Sequence, residues 1–274
     1  MNRNPVKKTE SGLSAQADHF FVTVQGRKLE VQKILGANRG APTLVFLHEG
    51  LGSLAMWRDF PRKAAAVTGC AAVVYSRYGY GRSDVLGEPR GVDYMHVEAL
   101  EVLPELLARL EVPDPVLLGH SDGASIALIH AAAHPEVRGL VLMAPHVFVE
   151  DLSVKSIAEA KTAFEATDLP EKLGRYHADA AKTFRGWNDI WLHPDFRAWN
   201  IEDCLPRVRC PVLAIQGFDD EYGTMAQLEA IARQAGGPVE LLRLADCRHS
   251  PQRDQPAVVI EAMSRFVDRL DGGA

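Results

Sequence analysis

Short apolar segments recur along the chain and are separated by polar or amphipathic stretches. Residues 19–24 and 29–34 are alternating or β-branched runs around a polar turn, a pattern that predicts an antiparallel hairpin. Later runs are continuously apolar, as expected of strands buried on both faces of a sheet. They lie at residues 43–47, 71–76, 116–118, 139–144 and 211–216, and a last strand is predicted at 240–244.

Helical patterns fill most of the intervals between these runs. They cover residues 56–67, 94–110, 124–133, 224–234 and 256–270. Strands that alternate with helices predict an α/β fold, here a mostly parallel central sheet of about eight strands with helices on both faces. Pro104 is expected to bend the helix that contains it.

The alternation stops at residues 147–205, which are charged, rich in tryptophan and without a buried strand. Helices are expected there at residues 154–166 and 170–184. We therefore predict a helical cap at 147–205, inserted into an α/β core formed by residues 19–146 and 206–274. Residues 1–18 are polar and predict a flexible tail.

Composition narrows the classes of partner. The 274 residues are 47% hydrophobic, and 30 basic against 36 acidic residues give a net charge of -6. A surface without a basic stripe disfavours nucleic-acid binding, and no apolar run is long enough to cross a membrane. The four cysteines lack metal-ligand spacing and predict reduced thiols in a cytoplasmic protein, and the histidines match no metal motif. We expect a small-molecule substrate and no cofactor or metal, with the oligomeric state left open.

The apolar run at 116–118 leads directly into a serine-containing turn. Gly119-His120-Ser121-Asp122-Gly123 follows it, and a helical pattern begins at once. A turn this tight lifts the serine hydroxyl above the sheet in a strained conformation and leaves no space for side chains two residues away on either side. Glycines occupy both of those positions, so the pattern predicts a nucleophilic Ser121.

Two later strand ends offer partners for this serine. A serine hydroxyl needs a neighbouring base, and the base needs a carboxylate that fixes its tautomer. Asp219 and Asp220 follow the strand at 211–216, and His249 follows the strand at 240–244. Loops at the carboxyl ends of parallel strands converge at one edge of the sheet. We therefore expect the serine, one of the acids and the histidine to meet there.

The chain resembles the α/β-hydrolase superfamily over roughly residues 20–270, and is most similar to capped bacterial enol-lactonases and meta-cleavage-product hydrolases. The residues that carry this resemblance are His48-Glu49-Gly50-Leu51-Gly52, Arg77 with Gly79, Gly81 and Ser83, residues 119–123, residues 217–220, and His249. The resemblance implies that Ser121 is the nucleophile and His249 the base. Its Gly-x-x-Asp pattern favours Asp220 as the third member, with Asp219 as the alternative.

The same resemblance implies an oxyanion hole made of backbone N–H groups. Asp122 supplies one amide and Gly50 the other, with Glu49 and Leu51 as alternatives to Gly50. Where the family has His-Gly, this chain has His48-Glu49. We expect the Glu49 carboxylate to point away toward Arg77 or Arg82, or to contact substrate or water. The side chain of Asp122, at a helix N-terminus, is expected to face solvent.

Several further residues are candidate substrate contacts. They are Glu49, Arg77, His146, Trp187 and Trp191. Arg77 would suit a carboxylate-bearing substrate, and His146 follows the strand after the serine turn. The two tryptophans line an aromatic roof over the pocket or form the small core of the insertion. His120 is expected to pack beneath the serine turn.

These features favour a cofactor-free serine hydrolase that cleaves an ester, a lactone or a similarly activated carbonyl. Two alternatives remain open. The same residues would serve a hydrolase that cleaves a carbon–carbon bond of a vinylogous diketone. A ligand-binding protein of the same fold would keep the pocket without turnover, because fold does not determine function.

Overall fold

A single eight-stranded sheet forms the frame of the computed structural model, which describes residues 17–38 and 40–271. The strands are β1 (Ala17–Val24), β2 (Arg27–Ile34), β3 (Leu44–Leu47), β4 (Ala72–Tyr75), β5 (Val116–His120), β6 (Gly139–Met143), β7 (Val212–Gly217) and β8 (Val239–Leu244). Their order is β1-β2-β4-β3-β5-β6-β7-β8. β2 pairs antiparallel with β1 and β4, and all other pairs are parallel. The predicted mostly parallel sheet is confirmed.

Ten α-helices accompany the sheet in the described part of the chain. They are α1 (Phe60–Thr68), α2 (Tyr94–Val97), α3 (Leu103–Arg109), α4 (Asp122–Ala133), α5 (Asp151–Ala166), α6 (Leu169–Gly174), α7 (Ala180–Trp191), α8 (Ala226–Gln234), α9 (Pro251–Asp254) and α10 (Pro256–Asp271). Within those described residues, none of the helices has both the length and the apolar character needed to cross a membrane.

Two apolar cores lie on opposite faces of the sheet. Val45 and Leu47 of β3 belong to the core that contains α4 and α7, whereas Leu44 and Phe46 belong to the core that contains α1 and α10. Successive side chains of a strand point to opposite faces, so one short strand contributes to both cores. Every residue of β3 to β7 is buried, which explains why these strands are continuously apolar in sequence.

The interval predicted as a cap holds α5, α6 and α7 together with 3₁₀ turns at Pro194–Ala198 and Glu202–Arg207. Its two ends meet in an isolated antiparallel bridge between Phe148 and Asn200. α7 is the most deeply packed of its helices, with Phe184, Trp187 and Trp191 all buried. α7 therefore places aromatic side chains between the insertion and the sheet.

Several predicted boundaries were wrong. The helix predicted at 56–67 is interrupted at Arg58, whose φ of 54° ends a 3₁₀ turn before α1 begins. The helix predicted at 170–184 is two helices, α6 and α7, and the Asp179 side chain caps the start of α7. Of the predicted tail at 1–18, Ala17 and Asp18 belong to β1, and the remainder lies outside the described residues.

Pro104 does change the long helix that contains it. α2 continues through a π-helical segment, Glu98–Val102, directly into α3. Proline has no N–H to donate to the preceding turn, and the π-helical segment ends two residues before Pro104.

Candidate active site

The turn between β5 and α4 holds Ser121 in an unusual backbone conformation, with φ of 53° and ψ of -117°. A Cβ atom on Gly119 would lie 2.4 Å from the Gly123 carbonyl oxygen, and one on Gly123 would lie 2.1 Å from the carbonyl oxygen of Leu47. Both contacts are with backbone atoms, which cannot rotate away. Only glycine fits at either position, as the tight turn required.

Ser121, His249 and Asp220 form one hydrogen-bonded array at the carboxyl edge of the sheet. The Ser121 hydroxyl lies 3.0 Å from His249 Nε2, and His249 Nδ1 lies 2.8 Å from Asp220 Oδ1. Gln216 Nε2 and the backbone N–H of Tyr222 also donate to the Asp220 carboxylate. Asp219 is exposed and does not reach His249, so the structure brings the favoured acid to the histidine.

Electrostatics favour charge on both members of the His249–Asp220 pair. Burial alone would lower the pKa of His249, but the charge and hydrogen bond of Asp220 outweigh it and raise that pKa above 6.5. Burial alone would raise the pKa of Asp220, but the charge and hydrogen bond of His249 lower it below its usual value. The carboxylate thus stabilises a protonated His249.

A cavity of about 120 Å³ opens above Ser121. Its lining comprises Glu49, Gly50, Leu51, Ser121, His146, Ile157, Trp187, Trp191, Tyr222 and His249. Four larger cavities, of about 280, 290, 320 and 380 Å³, are lined by neither Ser121 nor His249. Because the smaller cavity is the one that holds the nucleophile candidate, it is the candidate substrate site.

Gly50 lines this cavity, and Asp122 directly follows Ser121 in the chain. Among the hydrogen bonds of residues 17–38 and 40–271, none is donated by either amide. A Cβ atom on Gly50 would lie 2.1 Å from Trp187 Nε1, so the residue must stay without a side chain for α7 to pack there. Both amides are therefore available to a negatively charged oxygen.

The Glu49 side chain contacts His120, and not Arg77 or Arg82 as suggested from the sequence. Its Oε2 atom lies 3.3 Å from Nδ1 of His120, and the carboxylate lines the cavity. Burial would raise the pKa of Glu49, but the hydrogen bond and charge of His120 and the nearby His48 lower it to about 2. Glu49 is thus an ionised group at the cavity wall.

His120 lies beneath the serine turn, as expected, and it also connects two loops. Its Nε2–H donates to the backbone carbonyl of His249 at 2.7 Å. Its Nδ1 faces Glu49 and lies 3.0 Å from the side-chain amide of Gln252. His120 thereby joins the loop after β3 to the loop that carries His249.

Two sequence expectations were wrong. Arg77 is fully buried and does not line the cavity, since its Nη2 donates to the backbone carbonyls of His48 and Glu49.

Asp122 is also fully buried, whereas its side chain was expected to face solvent. It accepts hydrogen bonds from the Tyr94 hydroxyl at 2.7 Å and Trp191 Nε1 at 3.3 Å. Arg77 Nη2 lies 3.7 Å from Asp122 Oδ2, so the two charges compensate each other away from the cavity.

His146 and the two tryptophans do line the cavity. The ring centroid of His146 lies 5.8 Å from that of His249 and 5.2 Å from that of Trp191. Burial, and then the neighbouring charge of His249, lowers the pKa of His146 to about 3. His146 therefore presents a neutral imidazole to the cavity at physiological pH.

Sequence reasoning missed Tyr222 and Ile157 as cavity residues. The Tyr222 ring centroid lies 4.7 Å from that of His249, and its position two residues after Asp220 was a usable signal. Ile157 comes from the buried face of α5, and nothing in an amphipathic helix pattern singles out one apolar residue as a cavity contact. In residues 17–38 and 40–271, no group of three or more His, Cys, Asp or Glu side chains is arranged to hold a metal ion.

Comparison with curated proteins finds relatives that are serine hydrolases by name. The chain is 29% identical over 154 residues to Serine hydrolase BPHL of Homo sapiens, a match that covers 54% of this chain and 53% of that protein. It is 31% identical over 149 residues to Serine hydrolase BPHL of Mus musculus, covering 52% and 50%. The chain thus matches about half of the length of these curated relatives.

Solved structures share the fold over almost the whole chain. Haloalkane dehalogenase DbeA from Bradyrhizobium elkani USDA94 is similar with a TM-score of 0.75 at 18% identity, covering 94% of this chain and 100% of that one. Proline iminopeptidase from Mycobacterium smegmatis is similar with a TM-score of 0.74 at 18% identity, covering 93% of this chain and 99% of that one. Naproxen esterase from Bacillus subtilis is similar with a TM-score of 0.71 at 17% identity, covering 92% of each chain. At these identities the likeness concerns the fold alone.

A family model covers most of the chain as well. The model of the Alpha/beta hydrolase family matches residues 44–262, from the start of β3 into α10, and so includes Ser121, Asp220 and His249. Together with the sheet order and the serine turn, this match shows that the chain belongs to the alpha/beta hydrolase family.

Proposed function

We propose that the protein is a cofactor-free serine hydrolase that cleaves an ester, a lactone or a similarly activated carbonyl of a small molecule. The observation that carries this proposal is the continuous hydrogen bonding from Ser121 through His249 to Asp220 at the floor of a cavity. The curated relatives are serine hydrolases by name, which supports the same class of reaction.

In the proposed reaction His249 accepts the Ser121 proton at Nε2 while the serine oxygen attacks the substrate carbonyl. Asp220 accepts a hydrogen bond from Nδ1–H and so keeps the tautomer in which Nε2 is the base. The anionic oxygen of the tetrahedral intermediate accepts hydrogen bonds from the amides of Gly50 and Asp122. Each such donor typically contributes about 10²–10³ in rate.

Collapse of this intermediate expels the leaving alcohol, which takes the proton from His249. An acyl group then remains on Ser121. A water molecule, deprotonated by His249, attacks the acyl carbonyl, and a second collapse releases the acid and restores the Ser121 hydroxyl. Water and ester are consumed, acid and alcohol are formed, and no further reactant is required.

Ester or lactone cleavage is preferred over the carbon–carbon alternative, although both would use the same array. Arg77, which would suit a substrate carboxylate, is buried and does not line the cavity, and neither Arg82 nor Arg248 is among the lining residues. A non-catalytic ligand-binding protein would not need the hydrogen bond between Ser121 and His249. Multiple-turnover kinetics of the isolated protein would exclude that reading.

The test is hydrolysis of p-nitrophenyl acetate by wild type, Ser121→Ala and His249→Ala. Loss of either residue is expected to lower kcat by about 10⁴–10⁶. Ser264→Ala, on α10 and outside the cavity lining, serves as the matched control and should retain full activity. Activity that survives in both array variants would exclude the proposed mechanism.

A further inference from the structure

Glu49 presents a negative charge to the cavity. Its side chain is 24% exposed, whereas its partner His120 is only 1% exposed and lies beneath it. The carboxylate is therefore the end of this pair that faces a substrate. The amide of the next residue, Gly50, is one of the two proposed oxyanion donors, so the charge lies beside the reacting carbonyl.

Gly52 has no side chain and so leaves space for the Glu49 carboxylate. A Cβ atom on Gly52 would lie only 2.3 Å from Glu49 Oε2. His120 Nδ1 lies 3.3 Å from the same oxygen. The carboxylate thus has a defined position, and the pKa of about 2 keeps it ionised at neutral pH, because His120 and His48 outweigh the effect of burial.

Nothing of opposite charge on the described cavity wall compensates Glu49, apart from His249 when it is protonated. No lysine or arginine is among the lining residues. His146 is neutral, since its pKa is about 3 as a result of burial and the charge of His249. Arg248, which is 70% exposed, pairs with Glu221 outside the cavity.

Resting on the proposed hydrolase function, we propose that Glu49 determines the charge of the accepted acyl group. The cavity takes small neutral or cationic acyl groups and rejects those that carry a carboxylate. The remaining wall fits this preference, because it contains the aromatic side chains of Trp187, Trp191 and Tyr222, and aromatic rings favour apolar or cationic groups over anions.

The size of the effect follows from Coulomb attraction and repulsion. Two unit charges about 6 Å apart at an effective dielectric constant of about 20 change an affinity by roughly a hundredfold. Solvent screening of the Glu49 carboxylate, whose side chain is 24% exposed, reduces this value. We therefore expect discrimination of about tenfold to a hundredfold against an anionic acyl group of matched size.

The experiment measures how three methyl esters of similar size compete with p-nitrophenyl acetate at pH 7. Methyl butanoate is neutral, β-alanine methyl ester is cationic, and monomethyl succinate is anionic. For the wild type, the inhibition constant of monomethyl succinate is expected to exceed that of methyl butanoate by at least about tenfold. The cationic ester should bind no more weakly than the neutral one.

Two variants assign this preference to Glu49. Glu49→Gln keeps the shape but removes the charge, and should bring all three inhibition constants within about threefold of one another. Glu165→Gln removes the same charge from the exposed face of α5, outside this cavity, and should keep the wild-type order. Ratios within one variant cancel any general loss of activity that Glu49→Gln causes through His120.

Equal inhibition by monomethyl succinate and methyl butanoate in the wild type would overturn the inference, whether or not Glu49→Gln folds. Unchanged discrimination in a folded Glu49→Gln would overturn it as well. Neither result would affect the proposed hydrolase function. Failure of that function has a different signature, namely that hydrolysis of p-nitrophenyl acetate does not depend on Ser121.

Discussion

The protonation state of His249 determines how kcat/KM of the proposed hydrolysis depends on pH. Only the neutral imidazole can accept the Ser121 proton, so kcat/KM must fall as the pH drops through the pKa of His249. That pKa is raised above 6.5, since the Asp220 charge and hydrogen bond outweigh the effect of burial. We therefore expect the acid limb of the kcat/KM profile to have its midpoint above pH 6.5.

Asp220→Asn should move that midpoint to lower pH, because the variant loses the charge that stabilises protonated His249. It should also lower kcat by about 10⁴, since the asparagine no longer fixes the productive tautomer. Asp219→Asn is the matched control, because Asp219 is exposed and should leave the profile unchanged. A profile whose acid limb does not move in Asp220→Asn would contradict the role proposed for this carboxylate.

The residues of the array could be predicted from sequence, whereas their charged neighbours could not. Ser121 lies in a tight turn whose glycines are dictated by backbone contacts, a constraint that a short pattern records. Asp122 instead depends on Tyr94 and Trp191, which lie 28 and 69 positions away. No local pattern reports such partners, so the burial of Asp122 required the fold.

At the scale of elements, the junction of β5 and α4 is the most constrained part of the site. Gly123→Ala would place a Cβ atom 2.1 Å from the Leu47 carbonyl oxygen, so α4 must shift away from β3. We expect this substitution to lower the free energy of unfolding by about 1–3 kcal/mol, measured by urea denaturation.

Gly174→Ala is the matched control for that substitution. Gly174 is the last residue of α6, and a Cβ atom there would meet nothing within 4 Å. Replacement by alanine should be neutral or stabilise the protein by up to about 1 kcal/mol, because alanine restricts the unfolded chain. Equal unfolding free energies for the two variants would mean that the strand–turn–helix junction tolerates a side chain.

A hydrogen bond between Trp191 and Asp122, as well as apolar packing, holds α7 against the core. Trp191 Nε1 donates to the buried carboxylate of Asp122, and removing a donor from a buried charged group costs about 1–3 kcal/mol. Trp191→Phe should therefore lower the free energy of unfolding by about that amount. The loss is expected in addition to the small change in apolar packing.

Trp199→Phe offers the comparison that isolates this hydrogen bond. Both tryptophans pack on Phe196, with ring centroids 5.0 Å away for Trp191 and 5.5 Å away for Trp199. Trp199 Nε1 is buried and has no hydrogen-bond partner within residues 17–38 and 40–271, so its replacement loses packing only. Equal destabilisation by the two substitutions in urea would show that the contact with Asp122 contributes nothing.

Element boundaries illustrate where periodicity is insufficient. The interval 56–67 has helical spacing, yet the left-handed backbone of Arg58 separates a 3₁₀ turn from α1. Helical spacing also continues through Glu98–Val102, where the backbone is π-helical ahead of Pro104. Apolar spacing reports which face of a segment is buried, but a single φ angle or one missing N–H decides whether the helix continues.

For the whole molecule, the order of the strands explains how three distant segments reach one site. β5 is paired with β3 on one side and β6 on the other, and β7 follows β6 in the sheet. The loops after β3, β5, β7 and β8 therefore open at the same edge. Alternation of strands and helices predicted this parallel arrangement, whereas it did not predict that Trp187 and Trp191 of α7 line the cavity at this edge.

The reactivity of the four cysteine thiols indicates whether the whole fold is intact. No disulfide joins Cys70, Cys204, Cys210 or Cys247, and all four are buried or partly buried. Burial raises the pKa of Cys210 to about 11, and burial followed by the charge of nearby carboxylates raises that of Cys247 to about 11. Thiols with so little thiolate and so little exposure should react slowly with a thiol reagent while the fold is intact.

We therefore expect four thiols per chain to react rapidly with Ellman's reagent in guanidinium chloride without any reductant, and fewer than four on the same timescale in native buffer. The melting temperature should be unchanged by dithiothreitol, because no cross-link restricts the unfolded chain. A deficit of thiols in the unfolded protein, or a melting temperature that falls when dithiothreitol is added, would instead require a disulfide.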